Sequence, residues 1–246
     1  MIPAPPGKER VGNWLFRYRS YLPPLLLGVL GAALFQRRGR THLGLDPHMA
    51  QIGLLVAAVG LMVRAAVVGT APRGTSGRNT KEQVAEQLNT TGLYSVVRHP
   101  LYLGNLLLWL GPAIAVGGWW PAGVIAVAFA AFYRPIIAAE EAFLERRFGA
   151  DYQKWAQTTP ALLPNPSRWR RPALPYSWKT VLRQEYYGVF TVVAFFVALE
   201  ATAQRINTGS FGVSRFWLGL LAAVTVITGT LRFFQRYTTI LNVPGR

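Results

Sequence analysis

Long apolar runs constrain this chain more than any other feature of its sequence. A helix needs roughly 20 apolar residues to cross the hydrocarbon core of a bilayer, and several stretches approach or exceed that length. They predict an all-α fold, a polytopic bundle of about six transmembrane helices. The first run is short and carries Pro23-Pro24, so it is expected either to cross the bilayer or to lie in its interface. The expected spans are 21–35, 49–69, two within 101–137, 181–203 and 211–231.

Basic side chains collect between the apolar runs. The chain has 26 Lys and Arg residues against 10 Asp and Glu, which gives a net charge of +16. Most of the basic residues fall in the N-terminus, in 70–98, in 134–183 and in the C-terminal tail, and the positive-inside rule assigns such segments to the cytoplasm. Both termini are therefore predicted to be cytoplasmic, at the cell membrane if the source is a prokaryote. Because the charge follows the loops, we attribute it to topology and to anionic lipid headgroups rather than to nucleic acid.

The Cys and His content limits the chemistry of the chain. It has no Cys and three His residues. The absence of Cys excludes disulfides, thiolate nucleophiles and Cys metal sites. With so few His residues, no metal site is predicted.

The stretch 92–149 carries two polar ends separated by about two membrane crossings. It opens with Tyr94 and Arg98-His99-Pro100-Leu101-Tyr102, and it closes with Glu140-Glu141. A helical hairpin returns the chain to its starting side, so both ends are expected at the cytoplasmic face. Pro100 suits the first turn of a helix because it lacks an N–H group that would be unpaired there.

Each of these polar residues also has an ordinary structural interpretation. His99 could be a satisfied interfacial histidine, the tyrosines could belong to the aromatic belt, and Glu140 and Glu141 could line a solvated helix face. Taken together, however, they place carboxylates on the apolar side of a helix, beside Ile137 and Leu144, which is costly near a bilayer unless the charge is paired. A pocket of aromatic rings and carboxylates suits a small cation.

Residues 86–164 resemble the isoprenylcysteine carboxyl methyltransferase family and its phospholipid methyltransferase relatives. The similarity rests on an ordered set of short motifs at the family's spacing, about a third of the chain. The matching segments are Thr91-Gly92-Leu93-Tyr94, Arg98-His99-Pro100-Leu101-Tyr102-Leu103-Gly104, Glu140-Glu141-Ala142-Phe143-Leu144, Phe148-Gly149-Ala150-Asp151-Tyr152, Pro160 and Pro164.

The resemblance implies an integral membrane enzyme that takes S-adenosyl-L-methionine from the cytosol and a lipophilic acceptor from the bilayer. Tyr faces can stabilise a sulfonium, a glutamate can pair with the ammonium group of the cofactor, and a histidine can donate to its carboxylate. The residues that the resemblance assigns to the cofactor are Gln87, Leu88, Asn89, Tyr94, His99, Pro100, Leu101, Tyr102, Glu140 and Glu141.

One departure from the family concerns the acceptor. Carboxyl methyltransferases of this family place a substrate-holding Arg four residues before the first glutamate, where this chain has Ile136. Arg134 lies roughly 200° away around the helix, although Pro135 could redirect it. A phosphate, amine or thiol acceptor, on a lipid, is therefore favoured over a prenylcysteine carboxylate, although a carboxylate stays among the possible acceptor classes. The candidate substrate-binding residues are Arg98, Arg134 and Arg64, the last an ionisable residue inside a span.

The basic segment 160–183 (Arg168, Arg170, Arg171, Lys179 and Arg183) could hold an anionic headgroup, or it could be ordinary cytoplasmic positive charge. Glu185 and Glu200, near the ends of a span, are interpreted as interfacial. The loop 70–91 could contain a short helix at 81–88, and 138–156 is expected to be an amphipathic helix.

The organisation predicted for the chain is one structural unit with three parts. These are N-terminal spans (1–80), a methyltransferase core (81–166), and a C-terminal basic loop with two further spans (167–246). Two other functions stay open from the sequence: a membrane reductase that uses NADPH, and a lipid-binding protein on a degenerate methyltransferase scaffold. The oligomeric state is not predicted.

Overall fold

The computed structural model describes residues 6–18, 22–39, 44–72, 85–117 and 119–245. Within these residues the fold is helical, and the only extended pairing is an isolated antiparallel bridge between Gly92 and Arg170. The helices are α1 (Pro6–Tyr18), α2 (Leu22–Gln36), α3 (Pro47–Thr70), α4 (Pro100–Ala115), α5 (Trp119–Thr158), α6 (Trp178–Thr208) and α7 (Arg215–Tyr237), with short 3-10 helices at Leu93–Ser95 and Pro166–Arg168. The prediction of an all-α bundle is confirmed.

Four of these helices, α3, α5, α6 and α7, are long and apolar enough to cross a membrane. The other two expected crossings are shorter, since α2 has 15 residues and α4 has 16. At 1.5 Å per residue α4 rises about 24 Å, less than the roughly 30 Å of the hydrocarbon core. The hairpin predicted within 101–137 is therefore unequal, with a short first arm and a much longer second one.

Hydrogen bonds near the helix ends show which of these ends lie on the same face of the bundle. On one face, the backbone N–H of Ser177 donates to the carbonyl of Gly69 at 2.8 Å. On the opposite face, the backbone N–H of Leu45 donates to Oε2 of Glu200 at 2.9 Å, and that of Gly39 donates to Oδ1 of Asn207 at 3.1 Å. The short helix α4 runs from the first face to the second, where Arg37 donates to the carbonyl of Gly117.

Helices α3 and α4 pack through paired glycines. A Cβ atom built on Gly53 would lie 2.3 Å from the carbonyl oxygen of Gly111, and one built on Gly60 would lie 2.7 Å from that of Gly104. Small residues let membrane helices approach closely, so that van der Waals contact can hold them where water does not drive association. These four residues are called the glycine seam below. The seam fixes α4, which follows His99 and carries Tyr102 in its first turn.

Helix α1 lies across α5 near the first face. A Cβ atom on Gly12 would lie 2.2 Å from the carbonyl oxygen of Pro135, while Val11 and Trp14 are exposed. Such a helix, basic and aromatic, is typical of a membrane interface. Helix α5 continues through the predicted amphipathic segment 138–156, with one non-helical residue at Gly149 (φ 50°, ψ −122°).

The expectation of a short helix at 81–88 receives a partial correction. Residues 73–84 lie outside the described residues, and 85–88 are not helical. The three-part division of the chain stays an interpretation.

Candidate active site

The Arg-His-Pro loop is held in place by the segment that follows α5. Backbone N–H groups of Arg98 and His99 donate to the carbonyls of Pro160 and Ala161 at 2.8 and 3.1 Å, and that of Asn165 donates to the carbonyl of Val96 at 2.9 Å. His99 then precedes α4, with Pro100 in the first turn as predicted. The local chemistry that starts α4 therefore also fixes where His99 stands.

Arg98 and Glu141 form an internal ion pair. The Nε and Nη2 atoms of Arg98 lie 2.9 and 2.8 Å from Oε1 of Glu141. Its Nη1 atom donates to the carbonyls of Ala156 and Thr159 at 2.9 and 2.6 Å. The guanidinium is thus occupied by partners within the chain, so the structure gives Arg98 a place in the framework and adds no support to its candidacy for the substrate.

His99 connects this ion pair to the second carboxylate. Its Nε2 atom lies 3.0 Å from Oε1 of Glu141, and because a carboxylate only accepts, Nε2 carries the proton. Its Nδ1 atom lies 3.7 Å from Oε2 of Glu140, beyond hydrogen-bond distance. The ring of His99 stacks on that of Tyr102, with centroids 5.5 Å apart and planes 17° apart.

The side chain of Glu140 is more exposed than that of Glu141 and has a different partner. Its Oε2 atom accepts a 2.8 Å hydrogen bond from the hydroxyl of Tyr102, and the side chain stays 32% exposed, against 14% for Glu141. Tyr102 lies against Tyr133, with ring centroids 4.9 Å apart. The two neighbouring glutamates therefore have separate positions: Glu141 joins the framework, and Glu140 lines an accessible aromatic surface.

Tyr94 stands in the 3-10 helix that precedes the Arg-His-Pro loop. Burial raises the pKa of its hydroxyl above the ordinary value, and the negative charge of Glu140 raises it further. The phenol consequently keeps its proton and can act as a donor. Its backbone carbonyl accepts a 2.9 Å hydrogen bond from the indole of Trp155, which ties the second half of α5 to the loop.

The segment 87–89 lies near this loop in sequence, and its members differ in exposure. Gln87 is exposed, while Leu88 and Asn89 are partly buried. The Nδ2 atom of Asn89 is buried and has no hydrogen-bond partner among the described residues. A buried amide donor without a partner costs roughly 1–3 kcal/mol, so it is suited to an acceptor on a bound ligand.

The remaining predicted residues fall in different places. Pro100 is buried and Leu101 partly buried at the start of α4. Arg134 is exposed, whereas Ile136, at the position of the family's Arg, is 0% exposed. The side chains of Arg134 and Ile136 therefore do not occupy equivalent positions.

Arg64 is paired inside the bundle. Its Nε and Nη2 atoms lie 2.9 and 2.8 Å from the two carboxylate oxygens of Glu185, and its Nη1 atom lies 2.7 Å from Oδ1 of Asn105. Glu185, interpreted from the sequence as interfacial, is buried within this pair. Glu200 is likewise buried and accepts from Leu45. An ionisable residue inside a span, such as Arg64, indicates an acidic partner on a neighbouring helix.

The chain is similar to several known proteins. The family model described as phospholipid methyltransferase matches residues 49–151. The chain is 32% identical over 171 residues to the cobalt-zinc-cadmium resistance protein CzcN of Cupriavidus metallidurans, covering 68% of this chain and 73% of that protein. It is 30% identical over 124 residues to protein-S-isoprenylcysteine O-methyltransferase B of Arabidopsis thaliana, covering 49% and 63%. The chain belongs to the isoprenylcysteine and phospholipid methyltransferase family.

The family relationship extends to a protein named for another kind of acceptor. Methanethiol S-methyltransferase 2 of Bradyrhizobium diazoefficiens is 38% identical over 80 residues, covering 32% of this chain and 29% of that protein. No solved structure matches the chain. As a member of this methyltransferase family, the protein is an integral membrane protein whose family-matched region runs from α3 through most of α5. Trp155, which lies just outside that region, was not singled out in the sequence.

Proposed function

We propose that this protein transfers a methyl group from S-adenosyl-L-methionine to a lipophilic acceptor at the cytoplasmic face of the membrane. The observation that carries the proposal is the hydrogen bond between Tyr102 and Glu140, beside the stacked ring of His99. It joins the two polar ends of the family motif into one accessible surface of aromatic faces and a carboxylate. Membership of a methyltransferase family supports the reaction class.

The residues present fit the proposed methyl donor. Glu140 would accept from its ammonium group, the tyrosine faces would stabilise its positive charge, and the unpaired amide of Asn89 would donate to one of its acceptors. When bound, the donor supplies an electrophilic methyl group. Tyr94, which stays protonated, would donate a hydrogen bond rather than act as a base.

The other polar residues of the motif would position this surface. Glu141 holds the Nε2 proton of His99 and the guanidinium of Arg98, so the imidazole is kept in one orientation. The aromatic rings and the buried start of α4 would exclude water from the donor. Most of the rate enhancement would come from placing the two reactants in line.

The acceptor is proposed to be a lipid-borne phosphate, amine or thiol rather than a prenylcysteine carboxylate. Ile136 fills the position of the family's substrate Arg and is completely buried. Of the two neighbouring candidates, Arg134 is exposed in a different position and Arg98 is engaged with Glu141. The relatives named for O- and S-methylation are compatible with a varied acceptor.

Calorimetric titration of the detergent-solubilised protein with S-adenosylhomocysteine tests the donor site. Glu140→Gln is expected to weaken binding by about tenfold or more, since it removes a charge-assisted contact worth about 1.5–3 kcal/mol. Glu145→Gln is the matched control, because Glu145 lies on the same helix and accepts a hydrogen bond from Gln153. A well-folded protein that binds no S-adenosylhomocysteine would refute the proposal.

The acceptor is sought by transfer of a labelled methyl group to a total lipid extract, followed by mass spectrometry of the labelled species. A labelled phospholipid, lipid amine or thiol is the expected product. Labelling of a prenylcysteine carboxylate alone would contradict the role given to Ile136.

A further inference from the structure

A cavity lies beside the Arg-His-Pro loop. Its lining includes Leu88, which the family resemblance assigns to the cofactor, but not Tyr94, His99, Tyr102 or Glu140. Its volume is about 450 Å³, within the range of small-ligand sites, and its walls come from the loop, the end of α5 and the segment around residue 169. Its polar and aromatic lining includes Ser95, Lys154, Trp155, Thr159, Arg168 and Arg170. It is called the basic cavity below.

The basic cavity has an excess of unpaired positive charge. Lys154, Arg168 and Arg170 are exposed, and none has a carboxylate within 4.0 Å in the part of the chain that the structure describes. One acidic residue, Asp151, also lines the cavity. Three cations against one carboxylate, all around a concave site, favour an anion with several acceptor oxygens.

Hydrogen bonds join the chain segments that form the walls of the cavity. The backbone N–H of Gly92 donates to the carbonyl of Arg170 at 3.0 Å, and that of Arg170 donates to Oγ of Ser95 at 2.9 Å. The indole of Trp155 donates to the carbonyl of Tyr94. Because Arg170 makes these contacts through its backbone, its guanidinium is left available to a ligand.

The surroundings of the cavity indicate that the anion belongs to a membrane lipid. Trp169, between two of the cavity's arginines, is 53% exposed, Trp178 is 69% exposed, and Leu163 is 82% exposed. Exposed tryptophans beside cations are typical of the headgroup layer of a bilayer. The same segment follows directly from α5 and leads into the spanning helix α6, so it lies at the level where headgroups are found.

We propose that the basic cavity binds the phosphate-bearing headgroup of an anionic membrane phospholipid. Lys154, Arg168 and Arg170 contact the phosphate oxygens, and the exposed tryptophans lie in the surrounding headgroup layer. The inference rests on the membrane location of the protein and not on its methyltransferase activity.

Native mass spectrometry of the full-length protein in a neutral detergent tests this site. The protein is titrated with phosphatidylglycerol and, separately, with phosphatidylcholine of the same acyl chains. The variant Lys154→Gln/Arg168→Gln/Arg170→Gln removes the cavity's cations. Its matched control, Arg147→Gln/Arg171→Gln/Lys179→Gln, removes the same charge from exposed residues that do not line the cavity.

The expected result is one tightly bound phosphatidylglycerol per protein, preferred over phosphatidylcholine. The cavity variant should weaken this binding by about tenfold or more, and the control variant by about twofold or less. Equal weakening by both variants would reduce the effect to general surface charge and overturn the proposal. Displacement of the lipid by millimolar inorganic phosphate would also overturn it, because the site would then accept free phosphate.

Binding of S-adenosylhomocysteine separates this site from the proposed donor site. The cavity variant should bind it as the unmodified protein does, and a parallel loss would assign the cavity to the donor instead and overturn the proposal. If the unmodified protein binds the lipid but no S-adenosylhomocysteine, the proposed function fails and the lipid site stands. Should the triple variant unfold, Lys154→Gln alone is expected to weaken phosphatidylglycerol binding measurably; no change would count against the site.

Discussion

Replacement of Arg64 by Met tests the ion pair within the bundle. The substitution keeps an unbranched apolar side chain but leaves the carboxylate of Glu185, whose side chain is 8% exposed, without its cation. Removal of one partner of a buried pair typically costs about 3–5 kcal/mol, because the remaining charge is uncompensated. Loss of the 2.7 Å contact to Asn105 adds to this cost.

The companion substitutions separate this cost from loss of packing. Glu185→Leu alone strands the guanidinium and should be about as destabilising as Arg64→Met. The double variant removes both charges, and replacement of a whole buried pair by apolar residues is often close to neutral. Among the described contacts, the amide oxygen of Asn105 then loses its donor, at about 1–3 kcal/mol. The double variant is therefore expected to be more stable than either single variant.

Unfolding in mixed detergent micelles containing increasing dodecyl sulfate, followed by tryptophan fluorescence, gives the free energy of unfolding of all four proteins. The expected coupling between the two positions is several kcal/mol, larger than the roughly 0.3–0.5 kcal/mol within which independent sites are additive. If the double variant loses the sum of the two single effects, the pair is not coupled, and the interpretation of Arg64 as a charge held by Glu185 is refuted.

Three further substitutions follow from the described contacts. Gly111→Leu should lower the free energy of unfolding by about 1–3 kcal/mol or more, because it overpacks the glycine seam. The control Gly229→Leu should leave the free energy of unfolding unchanged, since nothing lies within 4 Å of a Cβ atom built on Gly229. Equal effects of the two substitutions on thermal unfolding would contradict the seam. Trp155→Phe removes the donor to the carbonyl of Tyr94 and should cost about 1 kcal/mol, with weaker S-adenosylhomocysteine binding in calorimetry; unchanged affinity would mean that this contact does not hold the loop. Glu200→Ala leaves the N–H group of Leu45 without its acceptor and should cost about 1–3 kcal/mol in the same micelle unfolding measurement; full stability would show that water replaces the carboxylate.

The fold class was accessible from sequence because the bilayer restricts a long apolar run to very few structures. A spanning segment must pair its own backbone groups, so run length alone predicts helices. The length of α4 was less accessible. Its 16 residues begin at Pro100, and the chain continues after it as α5 from Trp119, so the boundary depends on how the two arms pack and not on composition.

The candidate site was predictable to the extent that it depends on motif order. The structure brings His99, Tyr102 and Glu140 together, as the hairpin predicts. The sequence alone could not distinguish Glu140 from Glu141, because adjacent carboxylates look alike until their partners are known. Arg98 forms an ion pair with Glu141. Glu140 does not take part in this long-range contact and stays accessible.

The ion pair of Arg64 with Glu185 could not be predicted either, because it is also a long-range contact. The two residues lie on α3 and α6, 121 positions apart, and helix-to-helix register cannot be read from a single sequence. Glu185 stands near the start of its helix, where an interfacial position explains a carboxylate equally well. Only the packing of α3 against α6 decides between the two interpretations.

The glycine seam has a consequence for how the protein can move. Its contacts occur at two levels, Gly53 with Gly111 and Gly60 with Gly104, and seven residues separate the levels on each helix, or about 10 Å. Two such contacts set the register of α4 on α3 as well as their distance, since a shift by one turn would drive larger side chains into the seam. Sliding of α4 along α3 would have to break both contacts at once, so the two helices are expected to move as one body.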